Sequence, residues 1–530
     1  MARPAAEVRV RAVTVVVAGL LAIGHALLLG EWLVDDAGIT FAYARNLGSG
    51  HGLVSQPGVA PLEGFSNPLW TALLAPFLAV GAFDPLWTPK LLALALMLGA
   101  FAILARSVAA GGPAAWIAAS ATLLLALDSS FVIWGVSGLE NPLLAFLLTA
   151  SAAIALRSGE DEVRMGSIGA GVVAALLALT RPDAVLYAAA YPIVRMAVGR
   201  WRPWDRRILV YLAAFTVVFG SYLLFRHAYF GDWVPNTYHA KVRTWMMAVD
   251  LGRALDLAHA AVGPLAWPAL AVVVTAAVAG ALGVAAARRA LVLSIYLLLA
   301  TAAFLLLPVD WMGEYRFATG FFLFFYWSLG EALAWVARSL SGRGARLLAP
   351  AAAVVLLAQS AAAHAARTAD FAQNPTVPFA RIAQFAARYD ALAATLGSGS
   401  YSLLTPDLGG MLYFSRLRIF DLAGLCDRTI ARTLMDDGAA FRDYVLATTR
   451  PTFIHVHGTW ADWAALHGDA RLARDYVVLH ERWNAPGAVD PGRTEPWAGD
   501  YVRRDALASA ADAERLRLAF HELELDTPLP

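Results

Sequence analysis

Residues 12–36 read AVTVVVAGLLAIGHALLLGEWLVDD, and this stretch decides the class of fold. Residues 12–30 contain no Asp, Glu, Lys or Arg, and a helix needs about 20 such apolar residues to cross a bilayer. Arg3, Arg9 and Arg11 precede this run, which predicts a cytoplasmic N-terminus by the positive-inside rule. The bulky pair Glu31-Trp32 at its exit favours an uncleaved anchor over a cleaved signal peptide. The sequence therefore begins with a predicted transmembrane helix that leads directly to two adjacent acids, Asp35 and Asp36.

The composition extends this interpretation to most of the 530 residues. Hydrophobic residues make up 59% and charged residues 15%, whereas roughly 25% of an ordinary globular protein is charged. Almost half of the charged residues follow position 364. This distribution predicts a polytopic α-helical membrane domain over 1–364 and a C-terminal α/β extracytoplasmic domain over 365–530. The net charge of +1 is too balanced for a nucleic-acid binder, and a single cysteine, Cys426, excludes an intramolecular disulfide and a cysteine-cluster metal site.

Eleven apolar runs predict about eleven transmembrane helices. They cover residues 12–30, 90–108, 113–131, 139–156, 167–180, 184–198, 208–227, 264–287, 290–307, 317–337 and 347–364. The stretch 68–81 is apolar but short for a span, and if it crossed the membrane, three arginine-rich loops would face outward. We therefore interpret 31–89 as an outer loop that ends in an interfacial helix. The three loops contain Arg200, Arg202, Arg206 and Arg207, then Arg288 and Arg289, then Arg338, Arg343 and Arg346.

This topology gathers acidic residues at the outer boundary of the membrane, where charges are costly and usually have a partner or a task. A general base among Asp35 and Asp36 would have a pKa raised by its neighbour and by partial desolvation. The alternative is an N-cap for a helix over 37–47, which accounts for one acid more easily than for two. Glu140 is either a second acid in the same cavity or a first-turn residue favoured by the helix dipole.

Three basic residues at the same boundary are candidates for binding an anionic group. Arg181 binds either such a group or Asp183, which follows it closely in Arg181-Pro182-Asp183. Lys241 is one of only two lysines beside 39 arginines, and its compact ammonium suits a phosphate. Arg316 is either a phosphate ligand or a side chain that reaches to the lipid headgroups.

Six spaced segments carry these polar residues. They are Asp35-Asp36-x-x-Ile39-x-Phe41-x-Tyr43-Ala44, Glu63-Gly64-Phe65-Ser66-Asn67-Pro68-Leu69-Trp70, Ser137-Gly138-Leu139-Glu140, Arg181-Pro182-Asp183, Gly231-Asp232-x-x-Pro235-Asn236-Thr237-Tyr238-x-x-Lys241, and Asp310-Trp311-Met312 with Arg316-Phe317. In this order they resemble the GT-C superfamily of integral membrane glycosyltransferases, most closely the bacterial branch that includes the mycobacterial terminal arabinofuranosyltransferase. The resemblance covers roughly residues 12–340. Position 38 is Gly where a bulkier residue is expected, so we expect a differently shaped loop.

The resemblance implies an inverting transfer of a sugar, arabinofuranose being one candidate, from a polyprenyl-phosphate donor. The acceptor would be a cell-envelope glycan or glycolipid at the outer face of the bacterial inner membrane. The acceptor hydroxyl needs a base, which by motif is Asp35 or Asp36, with a slight preference for Asp35. Glu140 would assist at the acceptor, and the leaving phosphate would contact Arg181, Lys241 and Arg316. Further substrate-binding candidates are Glu63, Asn67, Asp183, Asn236, Tyr238, His239, Asp310 and Glu314.

No cofactor is assigned from the sequence. A divalent cation is compatible with the resemblance, because Asp35, Asp36 and Glu140 offer hard oxygen ligands, but a lipid phosphate held by basic residues does not require one. In the C-terminal domain, apolar runs at 401–404, 417–420, 452–456 and 476–479 predict buried strands, which alternate with helices such as 427–448 and 459–474. His455 and His457 share one face of a predicted strand. The sequence indicates no third ligand, which favours an ordinary polar face over a metal site.

Two other classes of function remain as alternatives. A transporter of lipid-linked glycans would need polar residues deep within several spans, and the predicted spans are nearly free of charge. A non-catalytic envelope assembly factor would not need both acids of the first outer loop. The sequence therefore favours an enzyme, while the sugar, the acceptor and the oligomeric state stay open.

Overall fold

The computed structural model describes residues 5–107, 113–157, 164–198, 205–241, 250–340, 343–485 and 494–526. The part of the chain up to residue 373 is mostly helical. Its helices are α1 Ala5–Leu29, α2 Ala37–Gly48, α3 Pro68–Ala79, α4 Trp87–Ser107, α5 Pro113–Leu127, α6 Ser129–Gly135, α7 Asn141–Arg157, α8 Arg164–Thr180, α9 Ala190–Val198, α10 Arg206–Phe230, α11 Asn236–Lys241, α12 Gly252–Val262, α13 Ala266–Ala281, α14 Arg288–Leu305, α15 Thr319–Ser339 and α16 Arg343–Gln373.

Seven helical stretches in these ranges are long and apolar enough to cross a membrane, or eight if the bent pair α5–α6 is one span. The chain is therefore a multi-pass membrane protein. Each predicted run overlaps a described helix, but α7 and α8 are short, so the count of eleven is not reached by length. The run 184–198 is divided between a 3-10 helix, Pro182–Ala189, and α9. Arg3, Arg200 and Arg202, on which part of the predicted orientation rests, lie outside the described residues.

The predicted span 113–131 bends by 58° between α5 and α6. Asp128 stands at the bend, where its carboxylate accepts hydrogen bonds from the backbone N–H of Phe131 and the hydroxyl of Tyr326, both at 2.8 Å. An Asp that caps a new helix ends the preceding one. Asp128, a fully buried acid inside an apolar run, thus marks the boundary between two helices.

The C-terminal region contains a small mixed sheet with helices around it. Its elements are α17 Phe379–Thr395, β1 Ser402–Thr405, α18 Gly409–Phe414, β2 Arg418–Asp421, α19 Arg428–Thr433, α20 Gly438–Asp443, β3 Phe453–His457, α21 Gly458–Ala464, α22 Ala470–Asp475, β4 Tyr476–Arg482, β5 Ala498–Arg503 and α23 Ala510–Asp526. The strand order is β2-β1-β3-β5-β4. Strand β1 is parallel to β2 and β3, whereas β5 is antiparallel to β3 and β4.

The four predicted strands match β1 to β4, but other parts of the prediction for this region are wrong. The helix predicted over 427–448 is interrupted because Asp437 caps α20 by accepting a hydrogen bond from Ala440. The helix predicted over 459–474 ends at Ala465, which has a φ of 45°, and Asp469 caps the next one. Strand β5 was not predicted, because its sequence AGDYVR is not an apolar run and has an acid, Asp500, at a fully buried position.

The first outer loop is attached to the C-terminal region by backbone hydrogen bonds. The N–H of Phe379 donates to the carbonyl of Leu33 at 2.8 Å, and the N–H of Asp35 donates to the carbonyl of Val377 at 3.0 Å. Farther along the loop, the amide of Gln56 bonds both backbone groups of Ile419 in β2. The acids that follow α1 are therefore held in place from the C-terminal side of the chain.

Candidate functional site

Asp36 stands at the N-cap position of α2, but its side chain makes no capping hydrogen bond. The side chain is 30% exposed, and its Oδ2 lies 3.4 Å from Nη1 of Arg316. The backbone of Asp36 therefore starts the helix while its carboxylate remains accessible beside a guanidinium. The capping alternative explains the position of this residue in the chain and leaves the orientation of its side chain unexplained.

Asp35 points in a different direction. Its Oδ2 accepts a hydrogen bond from the N–H of Gly409 at 2.9 Å, and its Oδ1 accepts one from Gly410 at 2.6 Å. The residue is only 7% exposed. Burial, opposed by the N–H of Gly410 and reinforced by the charge of Asp36, raises the pKa of Asp35 to about 8. With a pKa of about 8, the carboxyl of Asp35 is mostly protonated at pH 7, and it joins the first outer loop to the start of α18.

Arg316 is buried beside a second acid. Its Nε lies 2.8 Å from Oδ2 of Asp310, and its Nη1 donates to the sulfur of Met312 at 2.9 Å. The guanidinium also lies 5.8 Å from the ring centroid of Trp134, within cation–π range. The preceding loop turns back through Gly313, whose φ is 72°, and this turn brings Asp310 next to the arginine. Arg316 is therefore fixed between two carboxylates and an aromatic ring.

Arg181 forms a second buried ion-pair group next to the first. Its Nη1 lies 3.0 Å from Oε1 of Glu140, and its Nε lies 3.0 Å from Oδ1 of Asp183. The other oxygen of Glu140 accepts a hydrogen bond from the amide of Asn67 at 2.8 Å. Arg181 and Glu140 are therefore bonded to each other. The roles predicted for Arg181 at the phosphate and for Glu140 at the acceptor must be compatible with this ion pair.

The ring of Phe317 connects the two groups. The guanidinium carbon of Arg181 lies 4.8 Å from its centroid, and that of Arg316 lies 4.6 Å from it. Two like charges that share one ring lie close together, and the surrounding carboxylates offset their repulsion. The arrangement brings two guanidinium groups to one point, and guanidinium groups are suitable contacts for an anionic ligand.

Lys241 ends α11 and interacts electrostatically with the cluster formed by Arg181, Arg316 and the acids beside them. Desolvation has the largest effect on the pKa of Lys241 and lowers it. The charges of Asp36 and Asp310 raise this pKa and those of Arg316 and Arg181 lower it, and the net shift is downward. The side chain is nevertheless accessible to solvent. An exposed lysine that interacts with these charges is a suitable contact for a ligand that enters from outside.

The side chains of five other predicted site residues make contacts outside the ion pairs of Arg181 and Arg316. Glu63 is 1% exposed and pairs with Arg226 at 2.6 Å, which makes it part of a buried ion pair. The amide of Asn236 donates to the carbonyls of Gly424 and Leu425, so it joins α11 to the C-terminal region. His239 contacts Asp232 at 2.9 Å, and Glu314 contacts Arg367 at 3.9 Å. Tyr238 is 43% exposed.

The sequence reasoning missed several residues that shape the cluster. Trp134 was not singled out, and Asn141 was assigned no role although its amide donates to the carbonyl of Arg316 at 3.0 Å. The sequence held a signal for Asn141, because it follows Glu140 directly at the start of α7. It held none for Trp134, whose apolar surroundings are typical of a core residue.

The three acids considered as metal ligands do not come together. Asp35 is bonded to backbone N–H groups, and Glu140 is bonded to Arg181 and Asn67. In the part of the chain that the structure describes, the group of three acidic or imidazole side chains close enough to share a cation is Asp407, His455 and His457.

Comparisons with known proteins address the fold. A family described as a domain of unknown function, DUF8728, matches residues 372–504. No curated protein matches the chain. Among solved structures, ArnT from Cupriavidus metallidurans bound to undecaprenyl phosphate aligns with a TM-score of 0.60 and 15% identity, covering 95% of this chain and 98% of that one.

Two other solved structures extend the comparison. The archaeal oligosaccharyltransferase AglB from Archaeoglobus fulgidus, in complex with an inhibitory peptide and a dolichol-phosphate, aligns with a TM-score of 0.53 and 12% identity over 97% of this chain and 77% of that one. The arabinofuranosyltransferase AftD from Mycobacteria has a TM-score of 0.50 and 16% identity; 95% of this chain covers 40% of AftD. The chain therefore has the fold of the GT-C glycosyltransferases.

Proposed function

We propose that the protein is an inverting membrane glycosyltransferase that takes a sugar from a polyprenyl-phosphate donor and attaches it to an acceptor hydroxyl. The observation that carries the proposal is the position of Asp36. An accessible carboxylate stands 3.4 Å from a buried guanidinium, in a fold shared with enzymes of this class. A base beside a phosphate-binding group is what a direct sugar transfer from a lipid phosphate requires.

The donor is proposed from the site and from the similar structures. Arg316 and Lys241 are the contacts that we assign to the phosphate, because they face Asp36 and Lys241 is accessible. ArnT was solved with undecaprenyl phosphate and AglB with a dolichol-phosphate, which supports a lipid phosphate here as well. A lipid tail would also allow the sugar to reach an outward-facing site, because it carries the sugar through the bilayer.

We assign the base to Asp36 rather than to Asp35, which reverses the slight preference drawn from the motif. Asp35 uses both oxygens to accept backbone hydrogen bonds, and its raised pKa keeps it protonated at pH 7. A protonated carboxyl cannot accept the proton of the acceptor. Asp36 contacts Arg316 and has a partly exposed side chain.

Arg181 and Glu140 are assigned positioning roles. Glu140 is 5% exposed and has both oxygens bonded, so it is poorly placed to contact an acceptor. Arg181 uses two of its N–H donors for Glu140 and Asp183, and its guanidinium packs on Phe317. Together they fix the aromatic ring against which Arg316 lies.

The proposed reaction is a single displacement. Asp36 accepts the proton of the acceptor hydroxyl, and the acceptor oxygen forms a bond to the anomeric carbon. The bond between that carbon and the phosphate oxygen breaks at the same time, and Arg316 and Lys241 stabilise the released lipid phosphate. The proton then passes from Asp36 to water. One displacement inverts the anomeric configuration.

The finer assignments are also part of the proposal. Arabinofuranose is the first sugar to test, because AftD is one of the similar structures. The acceptor would be an envelope glycan or glycolipid at the outer face of the bacterial inner membrane, with the N-terminus in the cytoplasm. A divalent cation at the acidic loop is not part of the proposed mechanism.

The test uses purified full-length protein in lipid nanodiscs with radiolabelled polyprenyl-phosphate sugars and envelope glycan fragments. We expect label in the glycan, and NMR of the product should show an anomeric configuration opposite to that of the donor. In a parallel experiment with sealed vesicles, label that crosses the membrane without joining the glycan would contradict the proposal and support a transporter.

A further inference from the structure

A second group of polar side chains lies at the carboxyl ends of two neighbouring parallel strands. Asp407 follows β1, while His455 and His457 belong to β3. The chain leaves β1 towards β2 and leaves β3 towards β4, which lie on opposite sides of this strand pair, so the connections at the two carboxyl ends diverge. In open α/β sheets this point is where ligands bind.

The distances within the group suit a tetrahedral metal ion. Oδ2 of Asp407 lies 3.1 Å from Nε2 of His457 and 3.6 Å from Nε2 of His455. One ligand atom from each of the three residues lies within 4.8 Å of the others. With zinc–ligand bonds of about 2.0–2.1 Å, neighbouring ligands in a tetrahedral site are about 3.3 Å apart.

His455 is oriented as a metal ligand would be. Its Nδ1 lies 2.6 Å from Oδ1 of Asp500 and donates a hydrogen bond to it, so Nε2 is the nitrogen that faces Asp407. Asp500 is itself fixed, because the hydroxyl of Tyr389 donates to it at 2.5 Å. A carboxylate that orients a histidine in this way is typical of the residues behind a metal ligand.

Nε2 of His455 is fully buried and has no hydrogen-bond partner. The atom it faces at 3.6 Å, Oδ2 of Asp407, is already hydrogen-bonded to Nε2 of His457 at 3.1 Å. A buried imidazole nitrogen without a partner is costly. A cation held by the three side chains would give Nε2 of His455 a partner.

We infer that Asp407, His455 and His457 bind one zinc-type divalent cation, with Asp500 orienting His455 and with water as the fourth ligand. Two imidazoles and one carboxylate suit zinc better than magnesium or calcium, which prefer oxygen ligands. The charge is also balanced, because the cation offsets the carboxylates of Asp407 and Asp500.

The site would fix the loop that holds Asp35. Gly409 and Gly410, which donate to Asp35, come two and three residues after Asp407. A cation bound to Asp407 and to β3 would therefore anchor this loop to the sheet. The inference concerns a separate site and does not depend on the proposed sugar transfer.

The test measures metal binding by the purified full-length protein, first stripped with a chelator and then titrated with Zn²⁺ alone. We expect one Zn²⁺ per chain, and Co²⁺ in its place should give the strong visible absorption of a tetrahedral site. His457→Ala and Asp407→Asn should each lower the Zn²⁺ affinity at least 100-fold. Asp500→Asn should lower it by about 10- to 100-fold. The matched control is His467→Ala, because His467 also contacts an acid, Glu481 at 3.5 Å, but lies outside the group.

Thermal unfolding of the stripped proteins separates binding from folding. His457 is 22% exposed, so we expect His457→Ala without metal to melt close to stripped wild type, and only wild type and His467→Ala to gain stability from Zn²⁺. Stripped wild type that binds no Zn²⁺ would overturn the inference. So would equal Zn²⁺ affinity in wild type, His457→Ala and Asp407→Asn.

Discussion

Gly38 packs directly against the backbone of Gly409. A Cβ atom on Gly38 would lie 2.5 Å from the carbonyl carbon and oxygen of Gly409 and 2.6 Å from the ring of Phe379. A Cβ atom on Gly409 would in turn overlap the carbonyl oxygen of Asp35. The first outer loop and the C-terminal region therefore meet backbone to backbone. This contact explains why position 38 has no side chain although a bulkier residue was expected there.

Gly38→Ala should destabilise the protein, because the new methyl group meets the backbone of Gly409, which cannot rotate away, as well as the ring of Phe379. We expect a loss of about 1–3 kcal/mol, the usual cost of overpacking, measured by thermal unfolding in detergent. Gly24→Ala is the control, since Gly24 lies within α1 and a Cβ atom there meets nothing within 4 Å. Equal stability of the two variants would contradict the close contact.

Glu63→Gln should destabilise the protein without acting specifically on donor binding. Glu63 is 1% exposed and pairs with Arg226 at 2.6 Å, so its removal leaves a buried guanidinium uncompensated. Breaking such a pair costs about 3–5 kcal/mol. Asp232→Asn, at a partly exposed pair with His239, should cost no more than about 1 kcal/mol. Wild-type stability of Glu63→Gln together with lost donor binding would instead assign Glu63 to the substrate.

Arg316→Gln should weaken the binding of polyprenyl phosphate. A hydrogen bond to a charged group contributes about 1.5–3 kcal/mol, which corresponds to about 10- to 150-fold in affinity. Arg253→Gln is the matched control, because Arg253 also packs on a phenylalanine ring, that of Phe304 at 4.8 Å, and lies outside the cluster. Binding can be followed with a fluorescent short-chain polyprenyl phosphate. An equal loss of affinity in both variants would remove Arg316 from the phosphate site.

The membrane class and the predicted strands β1 to β4 follow from the sequence, because long apolar runs and short buried strands are local features. The orientation of Asp35 and Asp36 is not local. It depends on Gly409 and Gly410, more than 370 residues away, and nothing in the acidic pair itself separates the two residues.

The buried ion pairs and the proposed metal site also depend on residues that are far apart in the sequence. Arg226 lies within an apolar helix, so its partner Glu63 could not be identified from spacing. His455 and His457 lacked a third ligand in the sequence because Asp407 is 50 residues from His457 and reaches it only through the parallel pairing of β1 and β3. Asp500 was missed with its strand, since a buried acid breaks the apolar pattern by which strands are predicted.

The most direct test of the central claim compares sugar transfer by Asp36→Asn and Asp35→Asn at pH 7. Loss of a general base lowers kcat by about 100- to 10,000-fold, and we expect this for Asp36→Asn with donor binding unchanged. Asp35→Asn replaces a neutral carboxyl with a neutral amide and loses at most one backbone hydrogen bond, worth about 1 kcal/mol, so its kcat should stay within about tenfold of wild type. Wild-type sugar transfer by Asp36→Asn would contradict the assignment of Asp36 as the base, most clearly if Asp35→Asn had lost transfer.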